Sequence, residues 1–161
     1  MKSKIKSLQQ LKKIVKLLKL QGKTVVLANG CFDLLHVGHI RYLEASKKLG
    51  DILVVAINSD RSIRVIKDPQ RPIIGEKARA EIVAALAAVD YVVLFDEKQV
   101  VRVLEELQPA IQAKGTDYTV NSVPERDLVK SYGGRVAIAG DKKDHATKDL
   151  IKSIIQKYRK G

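Results

Sequence analysis

The chain has one cysteine, no tryptophan, and only two phenylalanines and five tyrosines in 161 residues. A lone cysteine leaves no intramolecular disulfide framework and fits a reducing, cytoplasmic setting. So few aromatics, none interleaved with basic residues, leave no stacking platform for single-stranded nucleic acid. No apolar run approaches the ~18 residues of a membrane-spanning helix. The N-terminus carries no apolar block of a signal peptide, because Gln9, Gln10, Lys12, Lys13 and Lys16 interrupt it. There is no G-x-G-x-x-G, no Walker A lysine loop, no internal repeat and no low-complexity tract.

Acidic residues are also missing from the first 32 positions, where lysines abound, and the tail repeats the bias with Lys148, Lys152, Lys157, Arg159 and Lys160. The formal net charge is +12. With aromatics so sparse this favours phosphorylated small molecules over general nucleic-acid binding, and a Lys/Glu-rich surface is also a thermophile's habit. Ile5, Leu8, Leu11, Val15 and Leu18 recur at three- and four-residue spacing. They predict an amphipathic helix within residues 1–22, ended by Gly22 and packed on the rest of the chain rather than on a membrane. The length predicts one domain with a substantial core.

What is present is concentrated in residues 29–39, Asn29-Gly30-Cys31-Phe32-Asp33-Leu34-Leu35-His36-Val37-Gly38-His39. They follow an apolar strand pattern, Thr24–Ala28, and lead into a helical one, Val37–Leu49. A helix start offers unpaired N–H groups and positive partial charge, and two histidines around Gly38 add donors beside them. This is chemistry suited to phosphate. Cys31 reads as packing beside the turn.

Strands and helices then alternate. Ile52–Ile57 reads as a strand, Asn58 to about Ile74 as a polar basic loop, and Glu76–Ala87 as a helix. Tyr91–Phe95 (strand), Gln99–Leu107 (helix), Ala110–Ala113 (strand), Val123–Tyr132 (helix), Arg135–Ala139 (strand) and Ala146–Arg159 (helix) complete the pattern. Continuous apolar strands separated by helices predict an α/β fold, a doubly wound, Rossmann-like five-stranded parallel sheet with helices on both faces. Ligands of such sheets sit at the carboxyl ends of strands. Four candidate loops lie there: the histidine turn, Asn58-Ser59-Asp60, Lys114-Gly115-Thr116-Asp117-Tyr118, and Gly140–Thr147. Lys114 ends a buried strand, where an uncompensated lysine is costly, so a phosphate partner is expected for it.

The order G-x-F-D-x-x-H-x-G-H after a first strand resembles the cytidylyltransferase-like nucleotidyltransferase superfamily. Lys48-Leu49-Gly50-Asp51, Val55-Ala56-Ile57-Asn58-Ser59-Asp60, Arg71-Pro72, Arg79, the Lys114-Gly115-x-Asp117-Tyr118 loop and Gly133-Gly134-x-Val136 extend the match over roughly residues 10–155. Within the superfamily the chain is most similar to the D-glycero-β-D-manno-heptose 1-phosphate adenylyltransferases. The resemblance implies one nucleotidyltransferase domain over 1–161, transfer of AMP from ATP to the sugar phosphate, and ADP-heptose and pyrophosphate as products. No covalent intermediate is implied; Mg²⁺ arrives with the triphosphate, and a homodimer is expected. A sugar kinase, carried by some relatives, would be a separate protein.

The resemblance also distributes roles. His36 and His39 serve the triphosphate and its transition state, with Lys47 as a further phosphate contact. Asn29, Gly30, Cys31, Phe32, Gly38, Lys114, Gly115, Ala146, Thr147 and Lys148 fall at nucleotide-binding positions. Asp33, Asn58, Asp60, Lys67, Arg71, Arg79, Asp117 and Tyr118 fall on the substrate side, Asp60 and Asp117 as partners for sugar hydroxyls. One segment departs from the family. Where Ser-Thr-Thr is usual at the last helix, this chain has Ala146-Thr147-Lys148, preceded by His145. That leaves CTP with glycerol 3-phosphate or another alcohol phosphate as an alternative pair. A non-catalytic basic nucleotide- or nucleic-acid-binding protein is the reading from a different class.

Overall fold

The computed structural model describes residues 2–67, 69–141 and 146–159. After a 3₁₀ turn at Lys2–Lys4, α1 spans Leu8–Leu20. Ser7 and Gln10 cap it reciprocally, each side chain accepting the other's backbone N–H. Leu11 and Val15 are its buried residues, and Gly22, at φ 74°, follows its end. The chain continues through β1 (Val25–Gly30), α2 (Val37–Lys47), β2 (Ile52–Asn58), α3 (Asp60–Ile66), α4 (Glu76–Ala84) and β3 (Tyr91–Phe95). Then come α5 (Val101–Leu107), β4 (Ile111–Lys114), a 3₁₀ turn at Val120–Ser122, α6 (Arg126–Ser131), β5 (Arg135–Ile138) and α7 (Thr147–Tyr158).

The five strands form one parallel sheet in the order β3-β2-β1-β4-β5. Alternate side chains of β1 separate two cores. Val25 and Leu27 join Leu11, Val15, Leu104 and Val129 on the α1/α5/α6 face. Val26 and Ala28 join Leu43, Ala80, Val83 and Ile111 on the α2/α4 face. The chain winds outward from β1 through β2 to β3, then returns to place β4 on the other side of β1. The loops after β1 and β4 therefore diverge, opening a crevice at the carboxyl edge.

Three boundaries differ from the sequence pattern in ways that shape the site. First, β1 runs two residues further, so Asn29 and Gly30 pair with Ala56 and Ile57. Second, the expected loop after β2 begins with α3. Ser59 caps that helix by accepting from the Ser62 N–H, and Ile63 is fully buried beneath it. A seven-residue helix with so few buried positions is too short for its periodicity to stand out. Third, the helix expected over Val123–Tyr132 contracts to α6, because Pro124 precedes its Glu125 cap. No described helix is long and apolar enough to cross a membrane.

Candidate active site

A cavity of ≈1220 Å³ opens along the carboxyl edge of the sheet and borders the loops after all five strands. At its centre lies the turn from β1 to α2. Phe32 and Leu34 take left-handed backbone angles there, φ 50° and 48°. Non-glycine residues hold such angles only where surrounding packing imposes them. The Phe32 ring is buried over Gly30, where an added Cβ would stand 3.1 Å from it, and lies 5.3 Å from the His39 ring. Gly30 thus makes room for Phe32, and Phe32 props His39.

His36 caps α2, and its ring stacks on that of His39 with centroids 3.8 Å apart. The His36 backbone N–H donates to Nδ1 of His39 at 3.4 Å. A neutral imidazole that accepts at Nδ1 carries its proton on Nε2, so His39 is a hydrogen-bond donor at that atom. Gly38, Asn29, Cys31 and Asn58 border the same space. Burial pushes the Cys31 thiol pKa up, opposed by the charges of Lys67, Arg79 and Arg71. It is a packed thiol rather than an activated one.

On the β2 side Lys67, at the end of α3, and Arg71, ahead of α4, border the cavity. Arg71 Nε donates to Asp33 Oδ2 at 2.6 Å, and the N–H groups of Ile73 and Ile74 donate to the same carboxylate. Burial pushes the Asp33 carboxyl pKa up, but the two backbone N–H groups and Arg71 outweigh it and hold the pKa below the ordinary carboxylate value. A carboxyl depressed on folding stabilises the fold above its unfolded-state pKa and loses that contribution as pH falls through the folded-state pKa. The difference in Tm between the native chain and Asp33→Asn is therefore expected to be full at neutral pH and to vanish in acid below the carboxylate range. Tm measured for both proteins across pH checks this.

On the other side of β1, Lys114 is buried at the end of β4. The anionic partner expected for it is supplied from within, by Glu125 at 3.3 Å, with the Tyr118 ring centroid 5.2 Å from its ammonium. Gln112 Nε2 also donates to Glu125. A phosphate is thus not required to compensate the burial of Lys114, although Lys114 borders the cavity. Gly115, Asp117 and Tyr118 follow it on the rim, and a Cβ at Gly115 would meet Asp117 Oδ1 at 2.9 Å. Ala146, Thr147 and Lys148 bring the start of α7 to the same rim, and the Thr147 hydroxyl donates to the Asp33 carbonyl at 2.8 Å. His145 lies outside the described residues.

Three expected site residues are not brought to the cavity. Arg79 is completely buried behind its wall and spends its guanidinium on the carbonyls of Ile74, Cys31 and Asn58 and on the Asp60 carboxylate. Asp60 is thereby engaged as an ion-pair partner rather than presented to a sugar. Lys47 lies near the C-terminal end of α2, at the opposite edge of the sheet, and pairs with Asp90 at 2.5 Å and with the Asp51 carbonyl. That half-exposed pair contributes little to stability. Lys47→Met is expected to leave kcat/KM within about twofold of the native value, with a small fall in Tm. Steady-state rates beside a melting curve test both.

Conversely, Glu125, Arg41, Gln70 and Lys98 border the cavity without having stood out in the sequence. Arg41 follows His39 by only two residues and pairs with Asp141. Its proximity to the motif was the available signal. Glu125 had none, since a Glu after Pro reads as an ordinary helix start.

The cytidylyltransferase-like family model matches residues 27–157. Bifunctional protein HldE of Syntrophotalea carbinolica is 47% identical over 159 residues, covering 99% of this chain and 32% of that protein. Bifunctional protein HldE of Geobacter sulfurreducens is 47% identical over 156 residues, covering 97% and 32%. The chain thus spans 32% of the length of these curated relatives. Among solved structures, the lipopolysaccharide core biosynthesis protein from Thermoplasma volcanium GSS1 is 35% identical, with a TM-score of 0.65 over 76% of this chain and 100% of that one. Pantoate-beta-alanine ligase from Francisella tularensis, at 15% identity, shares the fold with a TM-score of 0.59, covering 98% of this chain and 79% of that one. With the histidine turn at its switch point and the family match running from β1 into α7, the chain belongs to the cytidylyltransferase-like family of nucleotidyltransferases.

Proposed function

We propose that the chain transfers AMP from ATP to D-glycero-β-D-manno-heptose 1-phosphate, releasing pyrophosphate. The observation that carries this reading is the stacked His36/His39 pair at the start of α2, centred in a cavity with cationic groups on both sides. Similarity to bifunctional protein HldE and to a lipopolysaccharide core biosynthesis protein supports the sugar phosphate as acceptor.

The acceptor phosphate is already an anion, so no base is needed. One of its oxygens attacks the α-phosphorus in line, and the bond from that phosphorus to the α,β-bridging oxygen breaks. The electron pair leaves with pyrophosphate. Catalysis of this kind is positioning plus charge stabilisation. His39 Nε2–H, His36 and the N–H groups at the α2 terminus act on the α-phosphate as charge spreads over its oxygens. Lys67 and Arg71 on one flank, and Lys114 with the start of α7 on the other, hold the remaining phosphates. Asn29, Gly30, Cys31, Phe32 and Gly38 form the wall along the nucleotide, and Asn58, Asp117 and Tyr118 border the acceptor.

No group of three His, Cys, Asp or Glu able to hold a metal exists among the described residues. Mg²⁺ would arrive with the triphosphate, held by its oxygens and by water. When bound, Mg²⁺ supplies neutralising charge to the pyrophosphate that departs.

Pyrophosphate release in Mg²⁺ buffer, with ATP or CTP crossed against heptose 1-phosphate or glycerol 3-phosphate, tests the proposal. Turnover confined to ATP with the heptose supports it. Turnover with another pair retains the reaction and replaces the substrates, and silence with every pair overturns it.

A further inference from the structure

Asp33 stands where two parts of the cavity wall meet. It is 2% exposed. Its Oδ2 accepts from Arg71 Nε at 2.6 Å and from the Ile73 N–H at 2.9 Å, while Oδ1 accepts from the Ile74 N–H at 2.9 Å. Its backbone carbonyl accepts from the Thr147 hydroxyl at 2.8 Å. The carboxylate therefore ties the turn after β1 to the segment between α3 and α4, and the carbonyl ties the same turn to the start of α7.

From the other side, Arg79 Nε donates to the Ile74 carbonyl at 2.9 Å. Residue Ile74 is thus gripped at its N–H by one buried charge and at its C=O by another. This geometry has a consequence for Arg71, which borders the cavity. A guanidinium has five N–H donors, and the ion pair with Asp33 engages Nε. The two terminal amino groups are the pair suited to a bidentate phosphate contact. Both Asp33 oxygens, by contrast, are already accepting.

We propose that Asp33 is a positioning residue: it holds residues 71–74 and the α7 start in the arrangement that presents Arg71 to a substrate phosphate, and acts through Arg71 without touching substrate. The inference rests on the nucleotidyl-transfer reading above for its kinetic consequence only. Pre-arranging a long, rotamer-rich side chain favours binding because less freedom is lost when the phosphate arrives.

The test uses the full chain with Asp33→Asn, Arg71→Gln and the double variant. Each single change is expected to lower kcat/KM by about ten- to a hundredfold, mainly through KM for one phosphorylated substrate. The double variant is expected to be no worse than Arg71→Gln. Losses that multiply, or an Asp33→Asn enzyme with native kcat/KM, overturn the proposal.

A second readout needs no substrate. The Ile73 and Ile74 amides should exchange with solvent faster in Asp33→Asn but remain protected in Arg71→Gln, with the amides between β1 and β2 protected in both. Native protection of Ile73 and Ile74 in Asp33→Asn overturns the clamp whatever reaction the protein performs. If no acceptor is turned over, the functional reading fails while exchange still decides the clamp. Should Asp33→Asn not fold, Asp33→Glu displaces the carboxylate by one methylene and is read in the same way.

Discussion

His39→Ala is expected to lower kcat by about two to three orders of magnitude, the effect of removing one well-placed donor from a developing oxyanion. Because the His36 N–H donates to Nδ1 of His39, the ring carries its proton on Nε2. The turn that delivers this donor holds two left-handed residues, Phe32 and Leu34, and the buried Phe32 ring backs the imidazole. The ring is therefore held by its own turn, and on the proposed reading its donor meets the developing charge already oriented.

Alanine removes the donor and the stacking with His36 and leaves the α2 backbone as it is. Tm should fall only slightly, since the His39 ring is only partly buried. KM for the triphosphate should move less than kcat, because the lost interaction strengthens in the transition state. Steady-state pyrophosphate release beside a melting curve measures all three quantities. A native kcat in this variant would place the chemistry elsewhere in the cavity.

Arg79→Met is expected to destabilise the fold by about 3–5 kcal/mol, as when one partner of a buried ion pair is removed. Arg79 is 0% exposed and joins four separate points. It donates to Ile74 O at 2.9 Å, Cys31 O at 2.5 Å, Asn58 O at 2.8 Å and Asp60 Oδ1 at 2.8 Å. These acceptors belong to the segment before α4, the turn after β1, the end of β2 and the first turn of α3. Methionine fills much of the volume and satisfies none of them. Three carbonyls and a carboxylate would then stand in a dry wall without their donor.

Arg79→Lys should recover only part of the loss, because an ammonium on a flexible stem does not reproduce the planar fork. For a chain of this size the expected fall in Tm is about 2–4 °C per kcal/mol. Urea unfolding with an unchanged m-value would locate the effect in the native state. A loss under about 1 kcal/mol would mean that water replaces the guanidinium's contacts.

These two residues show how differently parts of the site were legible. His36 and His39 could be read directly, because their chemistry is local: a strand, a small-residue turn and a helix start lie within a dozen positions. The parallel sheet was legible too, since buried strands advertise themselves as short, continuous apolar runs such as Ile52–Ile57 and Tyr91–Phe95. Arg79 read as a cation for substrate phosphate, in the company of Arg71. The helix α3 went unseen because two buried residues cannot make a period.

What the sequence determined by itself was the order of the strands and of the helices other than α3, the α/β class and the placing of the histidine turn at a strand's carboxyl end. Each follows from periodicity and capping over a few neighbouring residues. Only the tertiary structure decided which charges face the cavity and which are spent inside the wall. Lys47 finds Asp90, Arg79 finds the carbonyls of Cys31 and Asn58, and Lys114 finds Glu125. Those partners are 11 to 48 positions away along the chain. A charge is neutralised by whatever the fold brings within a few ångströms, and that distance is set by strand order and helix packing rather than by sequence separation.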